Sequence, residues 1–323
     1  MPVHAPPMPQ QLRLGFGTGS IGQGKDKSAD LRLIAAALDA GITHFDTARL
    51  YGEGRAEGIL GEALKGRRAD VFLVSKAGIA PPDRSRKRRI LNKGLAIAGK
   101  APFLGEAMPQ PVWEAPHFGQ FGLAEVRASL EKSLRALNTD YLDRFLLHEA
   151  DIVHLEGGAL IDALEQWRKE GLFVGYGLAS TRDQTSRILA EQSDAFATVQ
   201  TSASVFDGPQ TGFAAPGREV ISHSWLGGPL ARFHTAFKRD TKLAEKAGRC
   251  LYVDVRRPQR LAQCLLECAL AANPGGQVLF STRRVERITG FVRVAERPRM
   301  TAGQIASMKQ VVARIRELED GAV

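Results

Sequence analysis

The sequence alternates between strand-like and helix-like segments along most of its length, and this alternation restricts the folds available to it. Buried-strand patterns such as "DVFLVSKAG" are followed by helical patterns such as "GLAEVRASLEKSLRALNTD". Strands that alternate with helices form a parallel sheet, and runs such as "RFLLH" and "QVLF" are typical of strands buried on both faces. Up to eight such units fit within the 323 residues, so we predict an α/β fold, a single (β/α)8 TIM barrel.

One barrel domain is predicted to span residues 1–323. A long irregular segment, about residues 79–120, interrupts the pattern after the third strand and is rich in Pro, Gly and basic residues. The sixth helix is the least regular, because "DGPQTGFAAPG" contains too much Gly and Pro for a helix of ordinary composition. Ser28 is predicted to cap the first helix, and a final helix is predicted at about residues 301–318.

Composition and charge argue against several classes of protein. With 44% apolar and 24% charged residues the chain can bury a sizeable core, and no apolar run approaches the roughly 20 residues of a membrane helix. Three cysteines without a CxxC pair, and an N-terminus unlike a signal peptide, predict a metal-free protein of the cytoplasm. The net charge of +9 is densest in "DRSRKRRILNKG", which lacks the interleaved aromatic residues typical of nucleic-acid binding. Neither nucleic acid nor membrane is therefore an expected partner.

The glycine-rich exit of the first strand matches two phosphate-binding motifs incompletely. "GTGSIG" has GxGxxG spacing, but "QGKDKS" separates its glycines from the helix whose N-terminus would meet a pyrophosphate. "GSIGQGKD" nearly matches a P-loop, but Asp26 occupies the slot of the Ser or Thr that would hold magnesium. Neither motif is therefore expected to bind a nucleotide in the way that its own fold class does.

Polar side chains lie at the predicted C-terminal ends of three consecutive strands, where a parallel barrel collects its catalytic groups. Asp46 ends the second strand and is followed by Tyr51, Lys76 ends the third strand, and His148 ends the fourth. Each has an ordinary explanation by itself: a capping acid, a turn aromatic, a solvated cation and a core imidazole. Because the strands are neighbours, we expect the four side chains to converge on one side of the barrel mouth.

These four residues suit the reduction of a carbonyl group. A hydride added to the carbonyl carbon leaves charge on the oxygen, and an acid must supply a proton. Tyr51 would be this acid, and the Lys76 ammonium would lower its pKa from an ordinary value of about 10. Asp46 would keep Lys76 charged and fixed, and His148 could hold the substrate oxygen by a hydrogen bond.

The segments that carry these residues resemble the aldo-keto reductase family. "GITHFDTARLYGEGRAEGILGEAL" resembles its signature near the second strand, "FLVSKAG" its lysine motif, and "SLRALNTDYLDRFLLHEAD" its fourth strand ending in His. The resemblance implies a (β/α)8 barrel that binds NADPH without a Rossmann domain and reduces an aldehyde or ketone to an alcohol. It assigns the catalytic roles to Asp46, Tyr51, Lys76 and His148, with Tyr51 as the proton donor.

The resemblance also implies a set of cofactor-binding residues, although some positions depart from the family pattern. Gln200 matches the family Gln that holds the nicotinamide amide, and His223 stands where a Tyr usually stacks on the nicotinamide. Ala179 and Ser180 replace the usual Ser–Asn pair, and Phe291 stands where an adenine-contacting Asn is common. The predicted cofactor-binding residues are Gly17, Thr18, Asp46, Ser180, Gln200, His223, Ser224, Leu226, Ser281, Thr282, Arg283 and Arg287.

Three arginines, Arg283, Arg284 and Arg287, lie at the predicted start of the helix after the eighth strand. Cations there oppose the helix dipole, so a bound anion explains the cluster better than a solvated helix start does. Arg287 matches the family position that pairs with the 2′-phosphate, and Arg suits forked contacts with a phosphomonoester. The cluster therefore favours NADPH over NADH.

The substrate, expected to be a small carbonyl compound, is less determined. Candidate pocket residues are Trp113 and Phe118 of the 79–120 segment, whose aromatic rings could equally anchor that segment. Glu149 is a third candidate, since it replaces the bulky residue often found after the family histidine. Two alternatives stay open: a cofactor-binding regulatory barrel with little turnover, suggested by the departures from the family pattern, and an NAD-dependent sugar or polyol dehydrogenase on the same fold. The physiological substrate, the reaction direction and the oligomeric state do not follow from the sequence.

Overall fold

The computed structural model describes residues 12–24, 26–82, 115–208 and 210–321, and these ranges form a closed barrel of eight parallel strands. Each strand pairs with the next in chain order, and β8 closes the barrel by pairing with β1. The predicted (β/α)8 TIM barrel is confirmed. The strands are β1 (Leu14–Gly17), β2 (His44–Asp46), β3 (Phe72–Ala77), β4 (Leu142–His148), β5 (Phe173–Ala179), β6 (Thr198–Ser202), β7 (Glu219–His223) and β8 (Gln277–Phe280).

Ten α-helices lie within the same ranges and surround the barrel. None of them combines the length and the apolar character that crossing a membrane would require. The helices are α1 (Lys27–Asp39), α2 (Ala56–Ala63), α3 (Leu123–Leu137), α4 (Ala159–Lys169), α5 (Arg182–Glu191), α6 (Gly227–Arg239), α7 (Thr241–Leu251), α8 (Pro258–Ala272), α9 (Val285–Glu296) and α10 (Ala302–Asp320).

Helix α3 shows how the sequence pattern produces an element that positions the site. At its start the Glu125 carboxylate accepts a hydrogen bond from the Gly122 backbone N–H, 3.1 Å away. It ends at Asn138, whose φ of 52° is a left-handed conformation that stops a helix. Its buried apolar residues recur at helical spacing, so one face packs inward and directs the chain into β4. These residues are Val126, Leu130, Leu134 and Leu137.

The two ends of the barrel are filled differently. At the N-terminal end, Arg144 Nε donates to Thr198 Oγ1 at 2.8 Å and lies 3.1 Å from a carboxylate oxygen of Glu219. Gly177 on β5 allows a close approach there, since a Cβ at this position would lie 1.9 Å from the Thr198 carbonyl oxygen. This polar network closes the N-terminal end, which leaves the opposite end for the predicted catalytic residues.

The described ends of the irregular 79–120 segment meet beside the exit of β3. Ala80 and His117 form an antiparallel bridge, with N–H···O distances of 2.9 and 3.0 Å. Gln120 N donates to the Gly78 carbonyl oxygen at 3.0 Å. The segment therefore leaves and rejoins the barrel at its C-terminal end. Its residues 83–114, with the predicted pocket residue Trp113 and the basic run, lie outside the described residues.

The structure corrects several local predictions. Asp26, not Ser28, caps α1, because its carboxylate accepts from Ala29 N at 3.1 Å and the helix already begins at Lys27. Between β6 and β7 the described residues form only a short 3-10 turn, Gln210–Phe213, as the Gly and Pro content suggested. The sequence analysis does not predict α6 and α7, and the final helix α10 is slightly longer than expected.

Candidate active site

The four predicted catalytic residues meet at the C-terminal end of the barrel. Lys76 Nζ lies 2.6 Å from Asp46 Oδ1 and donates a second hydrogen bond to the Thr47 carbonyl oxygen at 2.9 Å. The same ammonium lies 5.1 Å from the centroid of the Tyr51 ring. The Tyr51 and His148 rings meet edge to face, with centroids 6.2 Å apart. The convergence expected from the strand ends is therefore present.

The turn that carries Tyr51 requires glycine. β2 ends at Asp46, and the chain then enters a short turn, Tyr51–Gly54, in which Gly52 has a φ of 57°. A Cβ at Gly52 would lie 2.4 Å from the Ile21 carbonyl oxygen, so the turn packs directly on the β1–α1 loop. The glycines after Tyr51 thus allow the chain to place the phenol over Lys76.

The Asp46 carboxylate is held on both oxygens. Lys76 contacts Oδ1, and Gln200 Nε2 donates to Oδ2 at 2.7 Å. Thr18 Oγ1 donates to the Asp46 backbone carbonyl oxygen at 3.0 Å, and Gly17 on β1 pairs with Asp46 in the sheet. Three of the predicted cofactor-binding positions therefore surround Asp46. Gln200 is predicted to hold the nicotinamide amide, and only the structure reveals its contact with Asp46.

Burial and charge act in opposite directions on Lys76 and Tyr51. Burial disfavours the ammonium of Lys76, but Asp46 and Tyr51 outweigh it and raise the Lys76 pKa above its ordinary value. Burial is also the largest influence on Tyr51 and raises its pKa, while the charge of Lys76 and its hydrogen-bonding interaction with the phenol lower it. The expected lowering by Lys76 is present, but the expected net lowering of the Tyr51 pKa is wrong. Tyr51 therefore keeps its proton at neutral pH.

Two imidazoles near the Asp46–Lys76 pair are neutral. Burial, with the Lys76 charge, lowers the pKa of His148 to about 3. Burial lowers the pKa of His223 to about 4, and the charge of Asp46 only partly opposes it. Each ring therefore presents one N–H donor and one lone pair at neutral pH rather than a positive charge.

Of the two predicted pocket residues that the structure describes, Glu149 directly follows the predicted catalytic residue His148. Its φ is 59°, and its backbone N–H donates to the Ala179 carbonyl oxygen at 2.9 Å. Burial raises the pKa of the Glu149 carboxyl group. The negative charge of Glu149 in turn acts to raise the pKa of Tyr51, so the protonation of Tyr51 depends in part on Glu149. Phe118 lies at the rejoining end of the 79–120 segment with an exposed ring.

A cavity of about 670 Å³ is lined by several of the predicted cofactor-binding residues that follow β7 and β8. Leu226, Ser281, Thr282 and Arg287 all line it, and so does Arg284 from the same arginine cluster. Among the described residues no acid lies within ion-pair distance of Arg284 or Arg287, although Glu286 also lines the cavity, so both guanidinium groups can contact an anion. Its volume is in the usual range for small-molecule sites.

Two residues near the β1–α1 loop contact the segment that follows β8. A Cβ at Gly24 would lie 2.9 Å from a guanidinium nitrogen of Arg283, so the β1–α1 loop approaches that exposed side chain closely. In the same region Ser20 Oγ and Ser281 Oγ are 3.1 Å apart. Ser20 is not among the predicted site residues, and in the sequence only its position in the glycine-rich exit of β1 points to it.

Two replaced family positions have internal partners. Ser180 Oγ donates to the Ala150 carbonyl oxygen at 2.9 Å, so this hydroxyl is already engaged. His223 Nδ1 and Ser224 Oγ are 2.8 Å apart, and Ser224 has a φ of 69°. The contact orients the His223 ring at the exit of β7, on the same side as Asp46 and Lys76, whose charges act on it.

Comparison with known proteins identifies the fold and the family. The model of the "Aldo/keto reductase family" matches residues 13–313. A solved aldo-keto reductase of Klebsiella pneumoniae in complex with NADPH superposes with a TM-score of 0.65 at 21% identity, covering 93% of this chain and 90% of the other. The holo form of aldo-keto reductase AKR11C1 of Bacillus halodurans gives 0.63 at 22%, covering 94% and 91%.

Curated relatives match over shorter stretches. The uncharacterized oxidoreductase YqkF of Bacillus subtilis is 28% identical over 59% of this chain and 52% of its own length. The methylglyoxal reductase YeaE of Escherichia coli is 29% identical over 52% of this chain and 45% of its own. The chain thus spans about half the length of these curated relatives. Because the family model covers most of the chain, the protein belongs to the aldo/keto reductase family.

Proposed function

We propose that this protein is an NADPH-dependent oxidoreductase that reduces an aldehyde or ketone to an alcohol. The observation that carries the proposal is the buried Lys76–Asp46 pair, with its ammonium beside the Tyr51 phenol at the C-terminal end of the barrel. Tyr51 is the proposed proton donor, assisted by Lys76, Asp46 and His148. The substrate is a small carbonyl compound, and Trp113, Phe118 and Glu149 remain the proposed pocket residues.

The residues around the site suit NADPH. Arg284 and Arg287 lack acidic partners among the described residues and line a cavity with the hydroxyls of Ser281 and Thr282, a donor set that suits a phosphomonoester. Gln200 lies at the other end of the proposed site. When bound there, NADPH supplies the hydride that reduces the carbonyl carbon. Metal ligands play no part in the proposal.

The side chains of this protein would donate the proton and hold the carbonyl oxygen of the substrate. Neutral His148 can donate a hydrogen bond to the carbonyl oxygen without adding a charge that would repel Lys76. Tyr51 then gives its proton to that oxygen, and the Lys76 ammonium stabilises the phenolate that remains. Asp46, fixed by Gln200, keeps Lys76 protonated in a site from which water is largely excluded.

The test is turnover of a panel of aldehydes and ketones, followed by the loss of NADPH absorbance, with NADH in parallel. Tyr51→Phe should lower turnover by about 10²- to 10⁴-fold, the usual contribution of a general acid, while NADPH affinity stays near that of the parent protein. Tyr141→Phe is the matched control, because Tyr141 immediately precedes β4 at the opposite end of the barrel. A fully active Tyr51→Phe variant would show that Tyr51 is not the proton donor.

The same panel addresses the two alternatives. Tight NADPH binding with no turnover of any carbonyl compound would favour the regulatory barrel. Oxidation of sugars or polyols with NAD as good as, or better than, NADP would favour the dehydrogenase. Localisation in the cytoplasm also stays a prediction, which fractionation of the source cells would test.

A further inference from the structure

A second cavity, of about 640 Å³, lies on the outside of the barrel in the groove between α8 and α9. Five arginines line it, contributed by the start of α8, the last turns of α9 and the connection to α10: Arg257, Arg260, Arg293, Arg297 and Arg299. We call this cavity the arginine groove. Nothing in the proposed reduction uses it.

The two acids of the groove already have internal partners. Asp254 lies 3.2 Å from Arg257 Nε through one oxygen and accepts from Arg256 N at 3.1 Å through the other. Glu267 is buried, and its Oε2 accepts hydrogen bonds from the backbone N–H groups of Arg299 and Met300, each at 2.5 Å. Glu267 therefore holds the wall of the groove and, within the described residues, forms no ion pair with its guanidinium groups.

The five arginines of the groove outnumber its two acids, so a net positive charge remains there. Within the described residues, Arg260, Arg293, Arg297 and Arg299 form no ion pair, and the Arg260 guanidinium donates one side-chain hydrogen bond, to the side-chain amide oxygen Oε1 of Gln263 at 3.3 Å. Like charges around one concavity repel each other. Helix α8 adds to the positive potential, because it begins at Pro258 beside the groove with no acid in its first turn.

We propose that the arginine groove binds a small ligand that carries two or more phosphoryl groups. Guanidinium groups form paired hydrogen bonds with phosphate oxygens, and four of them on facing walls can contact separate phosphoryl groups. The groove is concave, and its volume is in the range for small-molecule ligands. Its shape therefore favours a small polyphosphate over an extended nucleic acid or a membrane surface.

The groove is separate from the proposed NADPH cavity. The two share only Gln263 and Gly290 as a wall, and Ser281, Thr282 and the α9 residue Arg287 line the NADPH cavity alone. The inference therefore does not depend on the proposed reduction, and either can fail without the other.

Isothermal titration calorimetry with inorganic tripolyphosphate, on the full chain at low ionic strength, tests the proposal. A site that depends on the groove is expected, in addition to any binding in the NADPH cavity, and Arg293→Gln combined with Arg297→Gln should weaken that site about tenfold or more through the loss of charge-assisted hydrogen bonds. The matched control combines Arg187→Gln with Arg239→Gln, two exposed positions outside the groove that remove the same net charge. It should change the affinity by less than about threefold at this salt concentration.

Four results would overturn the proposal. One is no binding by the parent protein, and another is equal weakening by the two double variants, which would mean general attraction to a basic protein. A third is that Arg287→Gln loses tripolyphosphate binding while the groove variant binds it as well as the parent protein does, which would place the phosphate in the NADPH cavity. The fourth is groove-dependent binding of single-stranded DNA or anionic vesicles without binding of tripolyphosphate. Unchanged thermal unfolding of the groove variant confirms that any loss is local.

Discussion

Replacement of Asp46 by Asn would test the charge pair on which the site depends. The Lys76 and Asp46 side chains are 1% and 4% exposed and lie 2.6 Å apart, so neither charge is screened by water. Asn keeps the size of Asp and one acceptor oxygen but removes the negative charge. It also presents an amide group to either Lys76 or Gln200, both of which donate to Asp46 in the parent protein.

The expected loss of stability follows from this burial. Removing one partner of a buried ion pair leaves the other charge without compensation, at a cost of about 3–5 kcal/mol. The Thr47 carbonyl oxygen still accepts a hydrogen bond from Lys76 but carries no full charge. We therefore expect the free energy of unfolding at pH 7 to fall by about 3–5 kcal/mol in Asp46→Asn.

The free energy of unfolding should also depend on pH differently in the parent protein and in Asp46→Asn. In the parent protein the folded-state pKa of Lys76 is raised, so its stabilising effect is complete at neutral pH and is lost only at pH values above its ordinary pKa. Without Asp46, burial becomes the dominant influence and should lower the pKa of Lys76. The folded Asp46→Asn variant then releases a proton that the unfolded chain retains. Its free energy of unfolding should rise from pH 7 towards pH 10, and the deficit should narrow.

Urea denaturation at several pH values between 7 and 10, followed by the fluorescence of buried tryptophans such as Trp225, would measure both effects. Lys76→Met and the double variant Asp46→Asn/Lys76→Met serve as controls. If the pair is coupled as described, the double variant loses less than the two single losses added together. A variant Asp46→Asn as stable as the parent at pH 7, or a double variant whose losses add, would refute the argument.

Three further predictions concern the cofactor, the imidazole and the barrel wall. Arg287→Ala should weaken NADPH binding more than NADH binding in a fluorescence titration, and equal losses would count against the phosphate assignment. Since the folded-state pKa of His148 is about 3, the free energy of unfolding should fall as the pH drops below about 6.5, where only the unfolded imidazole gains a proton. His148→Gln should make this pH dependence shallower without abolishing it, because His223 and His44 also have lowered pKa values and contribute to it; an unchanged pH dependence would exclude a contribution from His148. Gly177→Ala should cost about 2 kcal/mol or more, because its Cβ would meet the Thr198 carbonyl oxygen, and an unshifted thermal midpoint would contradict that close approach.

Much of the architecture could be predicted because it is encoded by local periodicity. Burial on one face of a helix or both faces of a strand leaves a pattern within ten residues, and alternating elements of this kind imply a parallel barrel. The C-terminal ends of parallel strands lie on one face, so strand ends alone placed Asp46, Lys76 and His148 near one another. It was harder to predict which of two suitable neighbouring residues caps a helix. At the start of α1 both Asp26 and Ser28 are residue types that cap helices, and the structure uses Asp26.

The sequence by itself determined which residues lie at the barrel mouth, because strand direction and periodicity are local properties. Only the tertiary structure decided which atoms meet there. Gln200 contacts Asp46 across 154 positions of the chain, and burial reverses the expected shift of the Tyr51 pKa. Likewise the arginine groove forms only where α8, α9 and the connection to α10 pack together. Such contacts and desolvation depend on strand register and helix packing, which arise from the whole fold and leave no periodic signal in any one segment.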